Sequence, residues 1–285
     1  MTRLVLFLAF FAFSGHAIVD GSEDINGEFK NVFQFELEVK GRKYLPCTAT
    51  VISDYAILTA GHCFDNIPFK LYEGWFGRKR NPSIVINGYK LKVTDILYPE
   101  GYKELRDEYY SVQDQLSKLK SELEAKGSKL IKENELGKVR ELFDKLHLDR
   151  TQSDLAIIKT LYKIPQKMRR TSLDFSDSKI SVASVGYGLT DTTVSHLDIA
   201  NYPEKPFYIK DLSAQYLNDR IEVSRYHNKI CHNSITTIGD SGSPLLNSEG
   251  KQVGVLRGIY QTPNDGIKSI YTPISLHKDF ILSNL

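Results

Sequence analysis

The chain lacks a strong net charge and lacks any apolar run long enough to cross a membrane as a helix. Its 37 lysine and arginine residues against 35 aspartate and glutamate residues leave a formal charge of +2. So small an excess gives no reason to expect a nucleic acid or an anionic membrane as a partner. The composition, 41% hydrophobic and 25% charged, is that of an ordinary globular protein and argues against a disordered or fibrous chain.

The longest apolar run, Leu4–Phe13, lies near the start of the chain and follows Arg3. It spans about ten residues, whereas a membrane-spanning helix needs roughly 20. Small residues follow it, with Gly15 and Ala17 at the −3 and −1 positions of a cleavage site. The pattern predicts a cleaved signal peptide over residues 1–17, a mature chain that begins at Ile18, secreted or periplasmic localisation, and no membrane contact after cleavage.

Cysteines are also scarce. Cys47, Cys63 and Cys231 are the only three, which suits an oxidising compartment and allows at most one intramolecular disulfide. The histidines outside the motif described below are scattered and form no pattern of metal ligands, so we predict neither a metal nor a cofactor.

Short strands and turns dominate the rest of the chain. Segments rich in β-branched and aromatic residues alternate with Gly, Asn, Asp and Pro, as in antiparallel β-barrels or sandwiches. Examples are 33–41, 47–60, 83–98, 154–159, 179–188, 220–226 and 251–260.

The segment Lys103–Arg150 departs from this texture. It carries 11 basic and 11 acidic residues, and its apolar residues recur every three or four positions. The first apolar stripe contains Leu105, Tyr109, Val112, Leu116, Leu119 and Leu123, and the second contains Leu136, Val139, Leu142, Phe143 and Leu146. Gly127-Ser128 separates the stripes, which predicts an antiparallel helical hairpin. A final helix is predicted from Ile274, Leu276, Phe280, Ile281 and Leu285.

Three separate stretches carry residue types suited to nucleophilic catalysis. "TAGHC" contains His62, "SDLAIIK" contains Asp154, and "GDSGSPL" contains Ser241. A serine hydroxyl is a poor nucleophile at neutral pH and needs a base, which an imidazole can supply. Together with "IVDG" and "VGYGLT", which stand in the same order, these stretches resemble the trypsin/chymotrypsin family of serine endopeptidases from Ile18 onward, apart from the helical segment.

The resemblance implies an all-β fold of two antiparallel six-stranded β-barrels, with an inserted helical hairpin and a C-terminal helix. It also implies an acyl-enzyme mechanism, in which His62 is the base, Asp154 orients it and Ser241 is the nucleophile. The backbone N–H groups of Gly239 and Ser241 would form the oxyanion hole. The implied substrate is a protein or peptide, and we expect a monomer.

The resemblance further implies an activation step and a disulfide. The new amino group of Ile18 would pair with Asp240, and removal of the signal peptide would itself expose it; a cut elsewhere followed by trimming is the alternative. Cys47 and Cys63 would form the disulfide beside the catalytic histidine. Cys231 would be a buried free thiol or, alternatively, part of an intermolecular bridge.

The specificity pocket departs from that of trypsin. Ile235 stands where enzymes that cut after Lys or Arg carry Asp, and Ile259 and Ser269 stand where deep pockets have glycine. We expect a preference for small or medium apolar P1 residues; an acidic preference through Arg257 or Lys268 is the alternative. Arg257 also occupies the position of a serine that supports the catalytic aspartate, so either the alignment slips or the surroundings of that aspartate differ.

The predicted domains are a barrel over residues 18–165, which includes the insert 103–150, and a second barrel over residues 166–285. The insert is either a surface hairpin or a lid or exosite that restricts access to the cleft. A different class of function stays open, in which a catalytically silent homologue binds or adheres through this hairpin.

Overall fold

The structure is a computed structural model that describes most of the chain. The described residues are 21–39, 42–65, 72–73, 79–80, 82–86, 88–126, 130–168, 170–176, 181–189, 205–217, 220–224, 236–262 and 266–285. The predicted signal peptide, Ile18, Cys231 and Ile235 lie outside these residues.

Six antiparallel strands form a closed barrel. In the order of their pairing they are β2 (Val32–Val39), β3 (Arg42–Val51), β4 (Ala56–Thr59), β9 (Ala156–Thr160), β8 (Tyr89–Leu97) and β7 (Ser83–Ile86). Strand β8 shows why the sequence closes around a core: Leu91 and Val93 are buried, while Lys90 and Lys92 face solvent. This two-residue alternation is that of a strand with one face on a core. Two short strands, β5 (Tyr72–Glu73) and β6 (Lys79–Arg80), pair with each other in a separate two-stranded sheet.

The second sheet comes from the C-terminal part of the chain. In the order of their pairing its strands are β11 (Phe207–Tyr216), β10 (Ser181–Gly186), β13 (Pro244–Asn247), β14 (Gln252–Thr262), β15 (Gly266–Pro273) and β12 (Ile221–Ser224). Because β12 pairs again with β11, these six strands close into a ring. Strand β1 (Ser22–Glu23) pairs with β11 from outside. The predicted all-β class with two antiparallel barrels is confirmed.

Two long helices connect β8 to β9. They are α1 (Tyr102–Lys126) and α2 (Leu130–Ser153). Tyr109, in the first half of α1, packs 4.9 Å from Phe143, in the second half of α2, as measured between ring centroids. Arg150, at the end of α2, lies over the ring of Tyr102, at the start of α1. The two helices are therefore antiparallel.

The helical stripes are buried only in part. Val112, Leu116 and Leu146 are buried, whereas Leu142 is 42% exposed. The prediction that placed Leu142 in the packed stripe was therefore wrong. Its neighbour Phe143 occupies the position against α1 instead.

An apolar cluster between the two barrels also includes the C-terminal segment. Leu58 of β4, Ile157 of β9 and Val255 of β14 pack in it with Ile274 and Ile281. The last two residues lie in a 3₁₀ turn (Ile274–His277) and in α3 (Lys278–Leu282). This cluster holds the histidine-bearing and serine-bearing segments of the two barrels against each other.

The predicted face of the C-terminal helix needs a correction. Leu276 and Leu285 are 48% and 47% exposed, although the sequence pattern placed both on the packed face. The segment begins as a 3₁₀ turn, whose repeat of about three residues differs from the 3.6 of the assumed α-helix.

Within the described residues, no helix combines the length and the apolar character needed to cross a membrane.

Candidate active site

His62 and Asp154, 92 positions apart in sequence, lie in direct contact. His62 is on a 3₁₀ turn (Gly61–Phe64) just after β4, and Asp154 is the first residue after α2. The backbone N–H of His62 donates to Oδ1 of Asp154 at 2.8 Å, and Nδ1 of the ring lies 2.7 Å from Oδ2. One residue therefore engages both carboxylate oxygens, which sets the position of the imidazole.

The geometry also sets the tautomer of His62. An ionised carboxylate can only accept hydrogen bonds, so Nδ1 carries the proton in this contact. In the neutral ring Nε2 then carries the lone pair, and this nitrogen can accept a proton as a base must. The side chain of His62 is 27% exposed, whereas that of Asp154 is completely buried.

Positive charge surrounds Asp154. Nε of Arg257 lies 3.4 Å from Oδ2. Burial by itself raises the pKa of Asp154, but the imidazole of His62, its hydrogen bond, and then the charges of Arg257 and Arg150 hold this pKa well below its usual range. Arg257 thus lies against the carboxylate, so the surroundings of this aspartate differ from the serine-supported arrangement of the family.

Arg257 is itself held by helix α2. Its Nη1 donates to Nε2 of His147 at 2.8 Å. Burial, followed by the charges of Arg257 and Arg150, lowers the pKa of His147 to about 4. His147 is therefore neutral near pH 7 and can accept this hydrogen bond.

Ser241 lies on a loop that packs against strands β3 and β4, the second of which leads into the His62 turn. The backbone N–H of Thr48 donates to the carbonyl of Ser241 at 2.8 Å. The next residue, Gly242, has φ +85°, and a Cβ there would lie 2.1 Å from Oγ1 of Thr59. Thr59 precedes His62 by three residues, so glycine is required for the serine loop to approach the histidine turn this closely. Among the described residues, no hydrogen bond joins the Ser241 hydroxyl to His62; such contacts are often long in structures without substrate.

A disulfide ties the histidine turn to the barrel. Cys63, next to His62, is bonded to Cys47 on β3, with their Cα atoms 6.4 Å apart. This is the pairing that the resemblance implied, and it is confirmed.

The loop around Ser241 is organised by a buried carboxylate. Asp240 is completely buried and accepts hydrogen bonds from the backbone N–H of Gly188 at 2.7 Å and of Thr237 at 2.8 Å. A Cβ on Gly186 would lie 2.1 Å from Oδ1 of Asp240, and one on Gly188 would lie 2.5 Å from Oδ2. The glycines of "VGYG" therefore leave room for the aspartate of "GDSG".

Asp240 carries an unfavourable charge in these surroundings. Burial raises its pKa to about 7, although the hydrogen bonds from Thr237 and Gly188 act in the opposite direction. No cation among the described residues pairs with it, and the predicted partner, Ile18, lies outside them.

The order of these segments is that of a known family. A sequence model of the trypsin family matches residues 18–109 and 127–281. The chain belongs to the trypsin family. No curated protein matches the sequence.

Solved structures show the same fold. Mouse neuropsin, a serine protease expressed in the limbic system of the brain, aligns with a TM-score of 0.54 and 14% identity over 93% of this chain and 98% of its own. A Glu endopeptidase aligns with a TM-score of 0.53 and 17% identity over 93% and 96%. An inactivated protease paralogue of the scabies mite aligns with a TM-score of 0.53 and 14% identity over 92% and 97%.

Two of the three predicted pocket residues of this trypsin-family chain lie opposite each other. Ile259 on β14 pairs with Ser269 on β15. Ile259 is 52% exposed, whereas Ser269 is buried and its hydroxyl lies 3.0 Å from that of Thr236. Sequence reasoning missed Thr236, although it follows the predicted pocket residue Ile235 directly.

The two cations considered for an acidic preference have other contacts. Arg257 lies against Asp154 and His147, as described above. Nζ of Lys268 lies 2.8 Å from a carboxylate oxygen of Glu222.

Sequence reasoning also missed a polar cluster between the helices and the histidine turn. The carboxylate of Asp65, three residues after His62, is bonded to the guanidinium of Arg150 on α2 and accepts hydrogen bonds from the hydroxyls of Tyr102 and Tyr110 on α1. No sequence motif indicates this contact, because 85 positions separate Asp65 from Arg150.

Among the described residues, no group of three or more histidine, cysteine, aspartate or glutamate side chains is arranged to hold a metal ion.

Proposed function

We propose that this trypsin-family chain is an exported serine endopeptidase with His62, Asp154 and Ser241 as its catalytic residues. The observation that carries the proposal is the contact of His62 with the buried, ionised Asp154, beside a loop that presents Ser241. Family membership and the shared fold support peptide-bond hydrolysis as the reaction.

The geometry suits a two-step acyl transfer. Nε2 of His62 would take the proton of the Ser241 hydroxyl as its Oγ attacks the peptide carbonyl carbon, and would return that proton to the leaving amine. Water would then hydrolyse the acyl-enzyme with the same base. Asp154 would hold the ring in the required tautomer and stabilise the imidazolium that forms in each step.

The oxyanion hole would use backbone donors of the serine loop. Within the described residues, the N–H groups of Asp240, Gly242 and Ser243 donate to protein acceptors, whereas those of Gly239 and Ser241 do not. Gly239 has φ 99°, in the region that favours glycine. Two unengaged N–H groups on one tight loop are what a developing oxyanion needs.

The activation step would consist of removal of residues 1–17. The buried carboxylate of Asp240, whose pKa is raised to about 7, supports this proposal because an ammonium would relieve the cost of its charge. We expect the amine of Ile18 to be that partner. N-terminal sequencing of exported protein tests the proposal, and a mature chain that begins at any residue other than Ile18 contradicts it.

The specificity would favour small or medium apolar P1 side chains. Strand β14 runs beside the serine loop, because the N–H of Gly242 donates to the carbonyl of Leu256 at 2.8 Å. Ile259, three residues further along this strand, has an exposed apolar side chain, and the contacts of Arg257 and Lys268 speak against an acidic preference. A P1 peptide library tests this, and strong cleavage after Lys, Arg, Asp or Glu contradicts it.

The domain division that we propose is 18–165 and 166–285, supported by the membership of the strands in the two barrels. Strand β1 is the exception, because it pairs with the second barrel. The helical pair would be an addition to the common fold, which the interruption of the family match at residues 110–126 supports.

Labelling with a fluorophosphonate tests the activity. We expect the protein that begins at Ile18 to react and Ser241→Ala to lose the reaction. Ser243→Ala is the matched control, since this serine lies two positions away and its buried hydroxyl has no partner among the described residues. Absence of labelling in the wild-type protein, or equal labelling of Ser241→Ala, contradicts the proposal.

A further inference from the structure

A buried carboxylate, that of Asp65, lies directly after the turn that carries His62. Asp65 follows the turn, and its N–H donates to the carbonyl of His62 at 3.2 Å. Its side chain is only 2% exposed. A buried ionised carboxylate is costly unless it is paired and hydrogen-bonded, so whatever pairs with Asp65 also determines where this turn can lie.

The partner comes from the helical pair. The Arg150 side chain is 3% exposed and its guanidinium forms the ion pair with Asp65. The hydroxyl of Tyr102 donates to Oδ1 of Asp65 at 3.0 Å, and that of Tyr110 donates to Oδ2 at 3.1 Å. The guanidinium carbon of Arg150 lies 5.8, 4.9 and 5.4 Å from the ring centroids of Tyr102, Tyr109 and Tyr110. Asp65 thus has three donors, and Arg150 lies among three aromatic rings.

The contact between helix and turn is close as well as polar. A Cβ on Gly61, the residue before His62, would lie 2.6 Å from the ring of Tyr102. Only glycine permits this approach of α1 to the turn. The first turn of α1 and the end of α2 therefore meet the His62 turn at the same place.

The end of α2 also leads directly into Asp154. Arg150 precedes Asp154 by one helical turn, and Ser153 is the last residue of α2. His147, one turn earlier, contacts Arg257, whose Nε lies 3.4 Å from the Asp154 carboxylate. One helix end thus touches the His62 turn through Arg150 and the carboxylate of Asp154 through His147 and Arg257.

We propose that Arg150, through Asp65, is a positioning residue. It holds the His62 turn at the position where the imidazole contacts Asp154. The helical pair is then part of the support of the active site, beyond any role of its outer surface. The proposal rests on the catalytic roles given to His62 and Asp154 above. Because a base that moves by about 1 Å can lower turnover by on the order of 10²-fold, the loss of this contact reduces catalysis even though Arg150 does not touch substrate.

The test replaces both charges, so that no buried charge is left without a partner. Asp65→Asn/Arg150→Met keeps a carbonyl oxygen that accepts from one tyrosine hydroxyl and adds an amide NH₂ that can donate to the other. It also keeps an unbranched side chain among the rings. Such replacements of a buried pair are often tolerated by the fold. Asp114→Asn/Lys118→Met is the matched control, because this pair lies on the same helical hairpin but is 68% and 71% exposed.

Two readouts are made on the protein that begins at Ile18. We expect kcat for a peptide substrate to fall about 10–100-fold in the Asp65/Arg150 double variant with KM within about twofold, and the control to stay within about twofold of wild type in both. The proton resonance of the His62 Nδ1–H, which reports its hydrogen bond to Asp154, shifts or broadens in the double variant only. Wild-type kcat and an unchanged resonance in a folded double variant overturn the proposal.

A milder variant decides the matter if the double variant does not fold. Tyr110→Phe removes one hydrogen bond to Asp65 and leaves the ion pair in place. We expect kcat to fall by about threefold or more, because Asp65 loses one of its three donors and the His62 turn is held less firmly, with a perturbed Nδ1–H resonance. Wild-type values for both overturn the proposal. If the wild-type protein neither hydrolyses peptides nor reacts with the fluorophosphonate, the proposed function fails, but the resonance still tests the role of Arg150.

Discussion

Asp154 and Asp240 are both completely buried, yet their pKa values are shifted in opposite directions. Asp154 is next to the imidazole of His62 and the guanidinium of Arg257, and its pKa lies well below the usual range. The hydrogen-bond donors that contact Asp240 within the described part of the chain are all neutral, and burial raises its pKa to about 7. Burial alone therefore does not decide whether a carboxyl group is charged. The cations that the fold brings to it decide this.

The difference corresponds to two tasks. In the proposed mechanism Asp154 has to be an anion whenever the imidazole acts as the base, and the neighbouring cations favour that charge. Asp240 is ionised only at a cost without a cation beside it, which suits the proposed response to a new N-terminus at Ile18. Three predictions test this comparison.

The largest expected effect is the loss of kcat when Asp154 is replaced. Asp154→Asn removes the anion and presents a side chain that can also donate, so the wrong tautomer of His62 is favoured. We expect kcat to fall by about 10⁴-fold, measured with a peptide substrate at neutral pH. Asp95→Asn, an exposed residue of β8, serves as the control and should retain activity. A loss of less than about tenfold in Asp154→Asn would show that this carboxylate does not orient the base.

The next effect concerns the stability contributed at Asp240. Its pKa is raised on folding, so this group favours the native state below about pH 4 and loses that contribution as the pH rises through about 7. In a chain that begins at Ala17, Asp240→Asn should therefore raise the unfolding free energy by on the order of 4 kcal/mol at pH 8 and hardly at all at pH 4.

The control for the Asp240→Asn measurement is the same substitution in the chain that begins at Ile18. There the same substitution should lower stability at pH 8, because the ammonium of Ile18 loses its partner. Denaturant unfolding of both chains in a Ser241→Ala background measures the two differences without autolysis. If the effect of Asp240→Asn were independent of pH in both chains, the raised pKa would be refuted.

The smallest effect lies at His147, near Asp154. The cations that keep Asp154 charged also keep this histidine neutral, with a pKa lowered to about 4. The unfolded chain binds the proton more readily, so wild-type stability should fall as the pH drops from about 6.5 to 4. Allowing for partial exposure, we expect a term on the order of 1–2 kcal/mol that His147→Gln lacks.

The measurement for His147 is the difference between variant and wild type in unfolding free energy at pH 7 and pH 4.5. The pKa of His277 is lowered in the same direction, by burial, so both proteins keep some acid sensitivity. Equal acid sensitivity of the two proteins would show that His147 is not held neutral.

Sequence reasoning performed best where one segment carries a complete local signal. The alternating strands indicated the barrels, and "TAGHC", "SDLAIIK" and "GDSGSPL" indicated the segments that meet around His62. It failed where a residue acts only through a distant partner. Arg150 looks like one of many charges on a helix, and its contact with Asp65 depends on how the end of α2 meets the histidine turn.

The same limit applies to the faces of the helices. Periodicity places Leu142 in the packed stripe together with Phe143, but only one of two adjacent residues can point directly at the facing helix. The aromatic ring of Phe143 takes the place against Tyr109, and Leu142 is left 42% exposed. A sequence pattern thus predicts that a helix packs against a neighbour. The rotation of the helix about its own axis depends on which side chains fit against the facing helix.

The sequence by itself determined the class of fold, the family and the residues suited to catalysis, because these depend on local periodicity and on short motifs. The tertiary structure alone decided the shifted pKa values of Asp154 and Asp240 and the contact of the helical pair with the His62 turn, on which the proposed supporting role rests. Both depend on distances between residues far apart in the chain, such as Asp65 from Arg150 and Asp154 from Arg257. Electrostatic and packing energies depend on those distances and on the surrounding burial, which the order of residues does not state.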